Sequence, residues 1–407
     1  MNKDTNKLIP ELRFPEFDGE WEMKMLGETS NITGGGTPES DKDNYWNGNI
    51  QWFTPTEIKS DFVLNSLRTI TELGLKKSSA KILPKGAILL TTRATIGEVA
   101  ISLGECTTNQ GFQSLIVNNG FSNVFIFNWI KTNKIEFLKR ANGSTFLEIS
   151  KSEIENITIC TPTIPEQQKI ASFFTAIDQK ISQLKQKKSL LKQYKKGVMQ
   201  KIFSQEIRFK PALSEVEGDD NGQEFPKWEK KKLREIATFF SGGTPTTTNK
   251  SYYEGDIPFI KSGEINFDKT EQFISTIGLK NSSAKLVEEG SILYALYGAT
   301  SGEVAISKIN GAINQAVLCI KSNENHFFIY SYLRFKKESI IKNYLQGGQG
   351  NLSAEIVKSL EIGLPSLPEQ AKIASFLSAI DDKINHTKMQ IEKAEGWKKG
   401  LLQQMFV

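Results

Sequence analysis

PEQQKIASFFTAIDQKI, from Pro165 to Ile181, is written again 203 residues later as PEQAKIASFLSAIDDKI, from Pro368 to Ile384, with thirteen of the 17 positions identical. The same offset relates KKGVMQKIF (Lys195 to Phe203) to KKGLLQQMF (Lys398 to Phe406). Upstream, GGTP recurs at Gly35 and Gly242, SSAK at Ser78 and Ser282, GEVAIS at Gly97 and Gly302, and Asn109-Gln110 as Asn314-Gln315. These matches are collinear, and their offset drifts only from 203 to 207. That is one domain duplicated. The period is far longer than the ~20–50 residues of a solenoid repeat.

Both quoted stretches open long helices. Pro suits the first turn, and apolar residues then alternate at three and four. The first stripe is Ile170, Phe174, Ile177, Ile181, Leu184, Leu191, Val198 and Ile202, with Lys188 and Lys195 filling two places. The second is Ile373, Leu377, Ile380, Ile384, Thr387, Ile391, Ala394, Lys398, Leu401 and Met405. A 3-4 pattern held this long predicts a coiled coil. One such helix cannot stay folded alone by burying one stripe, so the two stripes are expected to bury each other. The duplication permits an antiparallel pair with a pseudo-two-fold axis and a globular domain at either end. Full overlap sets Ile170 opposite Met405, Leu184 opposite Ile391 and Leu191 opposite Ile384. Each seam lysine then meets an uncharged partner: Lys188 with Thr387, Lys195 with Ile380, Lys398 with Ile177. Their ammonium groups are expected to reach water.

The globular segments are rich in Gly, Thr, Ser, Asn and aromatics. The runs Ala87 to Thr91, Ser114 to Val117 and Ala316 to Ile320 read as strands between breakers. Helices are expected over Asn123 to Arg140 and Phe327 to Leu345. Each domain is therefore mixed α and β with a small irregular sheet. The polar stretch from Phe203 to Trp228 reads as a mobile linker.

Composition excludes several classes. No apolar stretch approaches the ~18 residues of a membrane span, and MNKDTNKLIPELRF has no apolar core of a secretory signal. Cys106, Cys160 and Cys319 are scattered and odd in number, which points to reduced thiols in a cytoplasm. No Pro-Pro dipeptide of an adenine methyltransferase tetrad occurs, and no P-loop. His326 and His386 are the only histidines and have no ligand-spaced partners, so neither a metal nor a cofactor is expected. The net charge of +5 is mild. Its distribution says more: Pro165 to Phe203 carries 9 Lys against Glu166 and Asp178, whereas Pro368 to Phe406 carries 6 Lys against 5 acids. The lysine-rich helix is either a solvated face or a strip toward DNA phosphates or an acidic partner.

The helix motif PEQxKIASFxxAIDxKI, the entry motif FPEFDGEW…LGE (Phe14 to Glu28) echoed by FPKWEKKKLREIA (Phe225 to Ala237), and the GGTP loops together resemble the specificity subunits of Type I restriction-modification systems, the HsdS family. The resemblance spans nearly the whole chain. It implies an α+β fold: two mixed α/β target recognition domains joined by two long helices in an antiparallel coiled coil, as a pseudo-two-fold repeat. The expected partition is 1–160 for the first recognition domain, 161–204 for the first helix and 205–226 for the linker. The second recognition domain takes 227–363 and the second helix 364–407. The implied function is non-catalytic. One half of a bipartite, asymmetric double-stranded DNA target is read by each domain. The helices dock two methylation subunits, and motor-nuclease restriction subunits complete the complex in the cytoplasm. Two other readings stay open: a coiled-coil scaffold with protein- or glycan-binding domains, and a fused methyltransferase or nuclease.

Four paired loops are the candidate DNA-reading surface. The GGTP turns offer Gly36, Thr37, Gly243 and Thr244, whose amides and hydroxyls suit phosphate. TPTE after one short strand offers Thr54 and Thr56, and KSGE offers Lys261 and Ser262. TTRATIGE offers Arg93 and Thr95, against Tyr297 and Thr300 in ALYGATSGE. An arginine fork suits guanine, and a tyrosine ring packs on a base or sugar. The fourth pair is Ser144 and Thr145 against Gln349 and Asn351, with glutamine suited to adenine.

If the helices set the gap between half-sites, one added turn lengthens a helix by ~5.4 Å against ~3.4 Å per base pair. Four residues inserted near Leu184 are expected to lengthen the preferred spacer by one to two base pairs and leave the bases read unchanged. Methylation of a duplex library with graded spacers measures this, and an unchanged spacer in an active variant refutes the ruler.

Overall fold

The computed structural model describes residues 8–143, 147–211, 224–344 and 351–407. It divides into two compact units: Met1–Lys185 with Met389–Val407, and Gln186–Lys388. Both unit boundaries fall inside the long helices, Ile164–Phe203 and Leu367–Met405. Among the described residues no helix is long and apolar enough to cross a membrane.

The first unit is built around a five-stranded sheet in the order Ser30–Gly34, Gln113–Val117, Ile88–Leu90, Val99–Ser102, Phe62–Val63. Its central strands have no polar face because both faces are covered. Ile88, Leu90, Val99 and Ile101 join the core under the helices, while Leu89 and Ala100 join a second core with Phe53, Leu83 and Phe112. Double burial is why the sequence shows an unbroken apolar run here in place of alternation. Beyond the second core lies a three-stranded sheet in the order Arg68–Ile70, Trp46–Phe53, Thr107–Thr108. Glu22–Met25 pairs antiparallel with Thr158–Thr161 and closes the domain beside the helix entry.

The second unit repeats this plan. Ala237–Ser241, Val317–Ser322, Ile292–Ala295 and Val304–Ile306 form the main sheet in that order. Ile292 and Tyr294 face one core, Leu293 and Ala295 the other. Phe273–Ile274, Ile257–Ile260, Gly311–Ile313 and Lys285–Val287 form the smaller sheet, and Glu229–Lys232 pairs with Glu361–Leu364. Among the described residues each domain thus holds three sheets where the sequence suggested one irregular sheet. The helix expected over Asn123 to Arg140 is two, Asn123–Thr132 and Lys134–Lys139. The break falls at Asn133, whose side-chain amide shares Trp129 O with its own backbone N–H. Its counterpart, His326–Tyr344, is continuous, and Leu345 lies outside the described residues. The cysteines are free, with Cys106 and Cys319 buried and Cys160 half-buried. Burial pushes the Cys319 thiol up to about 11, so it sits among the apolar side chains as a neutral thiol.

The repeated PEQ triplet ties each long helix to its own unit. Glu166 and Glu369 are 1% and 0% exposed. Arg13 meets Glu166 with Nε at 2.8 Å and Nη2 at 2.7 Å, and Trp21 Nε1 donates to the same carboxylate. Arg208 and Trp228 hold Glu369 in the same way. The hydrogen bond and charge of each carboxylate raise the guanidinium above its usual value. The neighbouring glutamines complete the joint. Gln167 accepts from Ser122 N and donates to Pro162 O, while Gln370 accepts from Asn325 N and donates to Pro365 O. Phe14 meets Phe173 edge-on at 5.5 Å, and Phe209 meets Phe376 at 5.6 Å. The flanks of the stretch expected to be a mobile linker are therefore anchored; its middle, 212–223, lies outside the described residues.

In each unit the helical segments run antiparallel. Within the first, Ile170, Phe174, Ile177 and Ile181 share a core with Leu401 and Met405, Leu184 and Ile391 are buried, and Lys185 pairs with Glu395. Within the second, Met199, Ile202 and Phe203 share a core with Ile373, Leu377 and Ile380; Leu191, Val198 and Ile384 are half-buried. Two of the three seam lysines depart from expectation. Lys398 and Lys195 are each only 8% exposed. Lys398 Nζ lies 2.6 and 2.7 Å from the carboxylate oxygens of Asp178, and Lys195 Nζ 2.6 Å from both of Asp381. The expected partners, Ile177 and Ile380, are one residue away in sequence. An aspartate flanking the seam reaches the ammonium before water does. Burial lowers the Lys195 pKa, and the bond to Asp381 opposes that shift. The AID and KKG motifs recur together because each AID serves the other repeat's KKG.

Removing one member strands a buried charge, which costs ~3–5 kcal/mol at full burial. Asp381 keeps partial water contact. Asp381→Ala is therefore expected to destabilise by about 2 kcal/mol, and Lys195→Met with Asp381→Leu to recover most of it. Denaturant midpoints of the full chain measure both; equal loss in the single and double variants contradicts the pairing.

Candidate nucleic-acid interface

The loop pairs are strung around a dipeptide that both copies share, Asn109-Gln110 and Asn314-Gln315, the fourth loop through the third. In the first unit Asn109 N donates to Phe53 O, and Thr54 and Pro55 follow directly. Gly36 N donates to Thr108 O, and Thr37 Oγ1 donates to Gln110 Oε1. On the far side Thr92 N donates to Gly111 O, which hangs the Arg93 loop on the same segment. Ile149 N donates to Thr92 O and brings in the fourth loop. The second unit repeats four of these five bonds. Asn314 N donates to Ile260 O, Thr244 Oγ1 to Gln315 Oε1 at 2.6 Å, Leu296 N to Ala316 O and Leu352 N to Leu296 O. Asn109 and Asn314 turn their Oδ1 inward onto Gly111 N and Ala316 N. Gln110 and Gln315 are exposed.

The glycines of GGTP answer to packing. A Cβ on Gly35 would stand 2.2 Å from Thr108 O, and one on Gly36 2.2 Å from Ser79 Oγ. On Gly242 it would stand 1.7 Å from Ile313 O, and on Gly243 2.6 Å from Ser283 Cβ. GGTP, SSAK and Asn-Gln recur together because they pack together. Gly36 and Gly243 are buried and Gly36 N is bonded to Thr108 O, so in the first unit that amide is not exposed as expected. Thr37 and Thr244 stand exposed at its tip.

A family model described as Type I restriction modification DNA specificity domain matches residues 18–193 and again 226–395. The chain belongs to this family. The Type I restriction enzyme MjaIX specificity subunit of Methanocaldococcus jannaschii is 31% identical over 91% of this chain and 89% of the relative. The MjaVIII specificity subunit of the same organism is 24% identical over 94% and 91%. The S subunit of a Type-I restriction-modification system from M. genitalium, a crystal structure, superposes with a TM-score of 0.60 over 98% of this chain and 99% of that one. At 15% identity that likeness speaks for the fold alone.

Within this specificity fold, the paired loops differ where their side chains face outward. Arg93 and Tyr297 occupy one position, since the residues before them, Thr92 and Leu296, make the same backbone bonds. Each is followed by a left-handed residue, Ala94 at φ 60° and Gly298 at φ 78°. For alanine that conformation costs about 1 kcal/mol or more, so the turn is held by its surroundings. Arg93 is exposed and bound to Glu148, Nε to Oε1 at 2.8 Å; Tyr297 is half-buried. Thr95 and Thr300 are half-buried, and their carbonyls accept from Glu98 N and Glu303 N. Thr54 is half-buried and spends its hydroxyl on Glu57, whose carboxylate also accepts Thr54 N. Glu264 does the same for Lys261 N. Thr56 is exposed, and Lys261 and Ser262 are half-buried. A cleft of about 550 Å³ joins Thr244, Lys261 and Asn314 with Lys250, Tyr253 and Phe259. Asn351 is exposed, whereas Ser144, Thr145 and Gln349 lie outside the described residues.

Sequence reading passed over Gln110, Gln315, Glu57 and Glu264. The signal was present: the two glutamines are repeated verbatim, and both glutamates close four-residue loops of otherwise different composition.

The exposed Arg93–Glu148 pair is weak, so DNA can displace Glu148. Arg93→Ala is expected to lower discrimination at one base by ~1–3 kcal/mol and to change non-specific affinity less. Binding to duplexes substituted one base pair at a time measures it; an equal loss on every sequence makes Arg93 a phosphate contact.

Proposed function

We propose that this chain chooses the DNA sequence for a Type I restriction-modification complex. The globular part of each unit reads one half of a bipartite target through the loops gathered on its Asn-Gln segment. The observation that carries this reading is a contrast within one locus. The copies share the hub, Thr37–Gln110 and Thr244–Gln315, and differ at the side chains mounted around it, Arg93 against Tyr297 and Thr54 against Lys261. A common frame with exchanged readers is what two different half-sites require.

The chain contributes selection, and the methyl transfer and cleavage belong to other subunits. Two methylation subunits dock on the outer faces of the long helices, and the restriction subunits join through that complex. Two helix residues one turn apart, Leu190 and Tyr194, stand 56% and 54% exposed among Lys187, Lys192 and Lys196. With Lys187 one turn before it on the same face, this apolar pair suits a partner with an apolar surface and an acidic edge.

Exchange of residues 20–155 for the same segment of a relative is expected to replace one half-site and keep the other. Mapping methylated adenines in cells carrying the hybrid reads this directly. A hybrid in which both halves change shows that the units do not read independently.

A further inference from the structure

The shared Thr–Gln pair has a chemical character of its own. The threonine hydroxyl takes one lone pair of Oε1 of Gln110 and Gln315, which holds each exposed carboxamide and leaves its two Nε2 hydrogens to donate. A held group with two donors suits an acceptor oxygen. Base edges of two different half-sites offer different acceptors, but every duplex offers phosphate oxygens. A contact carried unchanged by both copies, amid side chains that differ, cannot tell one half-site from another. Its fit is to the part of DNA that all sequences share. In the second unit the cleft beside it carries Lys250 and Lys261 against one carboxylate, Glu254, a net positive lining that favours an anion there.

We propose that Thr37–Gln110 and Thr244–Gln315 are two copies of one backbone contact. Each donates glutamine amide hydrogens to a DNA phosphate and sets the register in which the neighbouring loops meet the bases. This rests on the reading that each unit binds DNA. It departs from the expectation that the glycine amides of GGTP do this work, and it assigns Arg93 and Gln110, on adjacent segments, to opposite kinds of contact.

The test uses the full chain and two duplexes of equal length, one carrying the genomic target and one with both half-sites scrambled. Gln110→Ala and Gln315→Ala are each expected to weaken binding to both duplexes alike, by about tenfold, as for a lost hydrogen bond to a charged group. The slope of log affinity against log salt stays the same, because no counterion-releasing charge is removed. Gln110→Glu is expected to weaken both further, since its carboxylate faces the phosphate. Lys250→Ala, by contrast, lowers the slope by about one. Unfolding midpoints accompany each variant, and where Gln110→Ala shifts its midpoint, the further loss in Gln110→Glu decides. A loss confined to the target duplex, or a changed base preference, makes Gln110 a base reader and overturns the proposal. Unchanged affinity on both duplexes overturns it as well. Wild-type chain that binds neither duplex overturns the DNA reading itself, a result distinct from variant failure.

Discussion

A carboxylate removed from water must be met by donors, and the rest of this structure depends on two such carboxylates. Glu166 and Glu369 sit at the first turns of the long helices with almost no exposure. Each receives a two-pronged arginine and an indole from the chain that leads into its own domain. Left unpaired, such a charge would cost several kcal/mol. The geometry therefore admits one seat for the helix on its domain. An apolar substitute of the same volume would pack, yet it would not fix direction. Because the joint is bidentate, it fixes the angle at which the helix leaves as well as the place.

The second constraint acts along the helices. Apolar stripes alone tolerate a slip of one heptad, since isoleucine meets leucine equally well in either register. Lys195 with Asp381 and Lys398 with Asp178 remove that freedom, because a slipped ammonium would lie buried without a carboxylate. Each repeat carries both halves of the code, and each half finds its complement on the other repeat. The sequence identity of the helix motifs thus has a local physical cause in residue-by-residue pairing.

How much of this was legible follows from what repetition can and cannot reveal. Duplication, two long helices and the absence of catalytic machinery could be read directly, because they depend on pattern and composition. The seam was legible as a stripe, but the lysine partners were not. A 3-4 pattern assigns one opposite residue per level, while a lysine side chain reaches the next one. The Arg-Phe pair at 13–14 recurs at 208–209, offset 195 against 207 for Trp21 and Trp228. The intervening linker broke the collinearity, so that repeat went unseen. The four reading loops were legible as pairs because they differ within a common frame. Their hub was not, since residues that stay the same look like scaffold. Only the hydrogen bonds reveal that Asn109 is inward and Gln110 outward.

Arg208 and Phe209 carry a consequence for how such genes are cut and rejoined. Both residues lie inside the stretch expected to be linker, ahead of its polar middle, yet they hold the second unit's helix in its seat. The linker is therefore an insertion inside the second repeat, and the natural seam between repeats lies upstream of it, between Phe203 and Arg208. A crossover placed in the most polar stretch, where an alignment invites it, would give each product another lineage's arginine. A crossover before Arg208 transfers the domain together with its fastening. Recombinants made at the second kind of joint inherit a complete mechanical part.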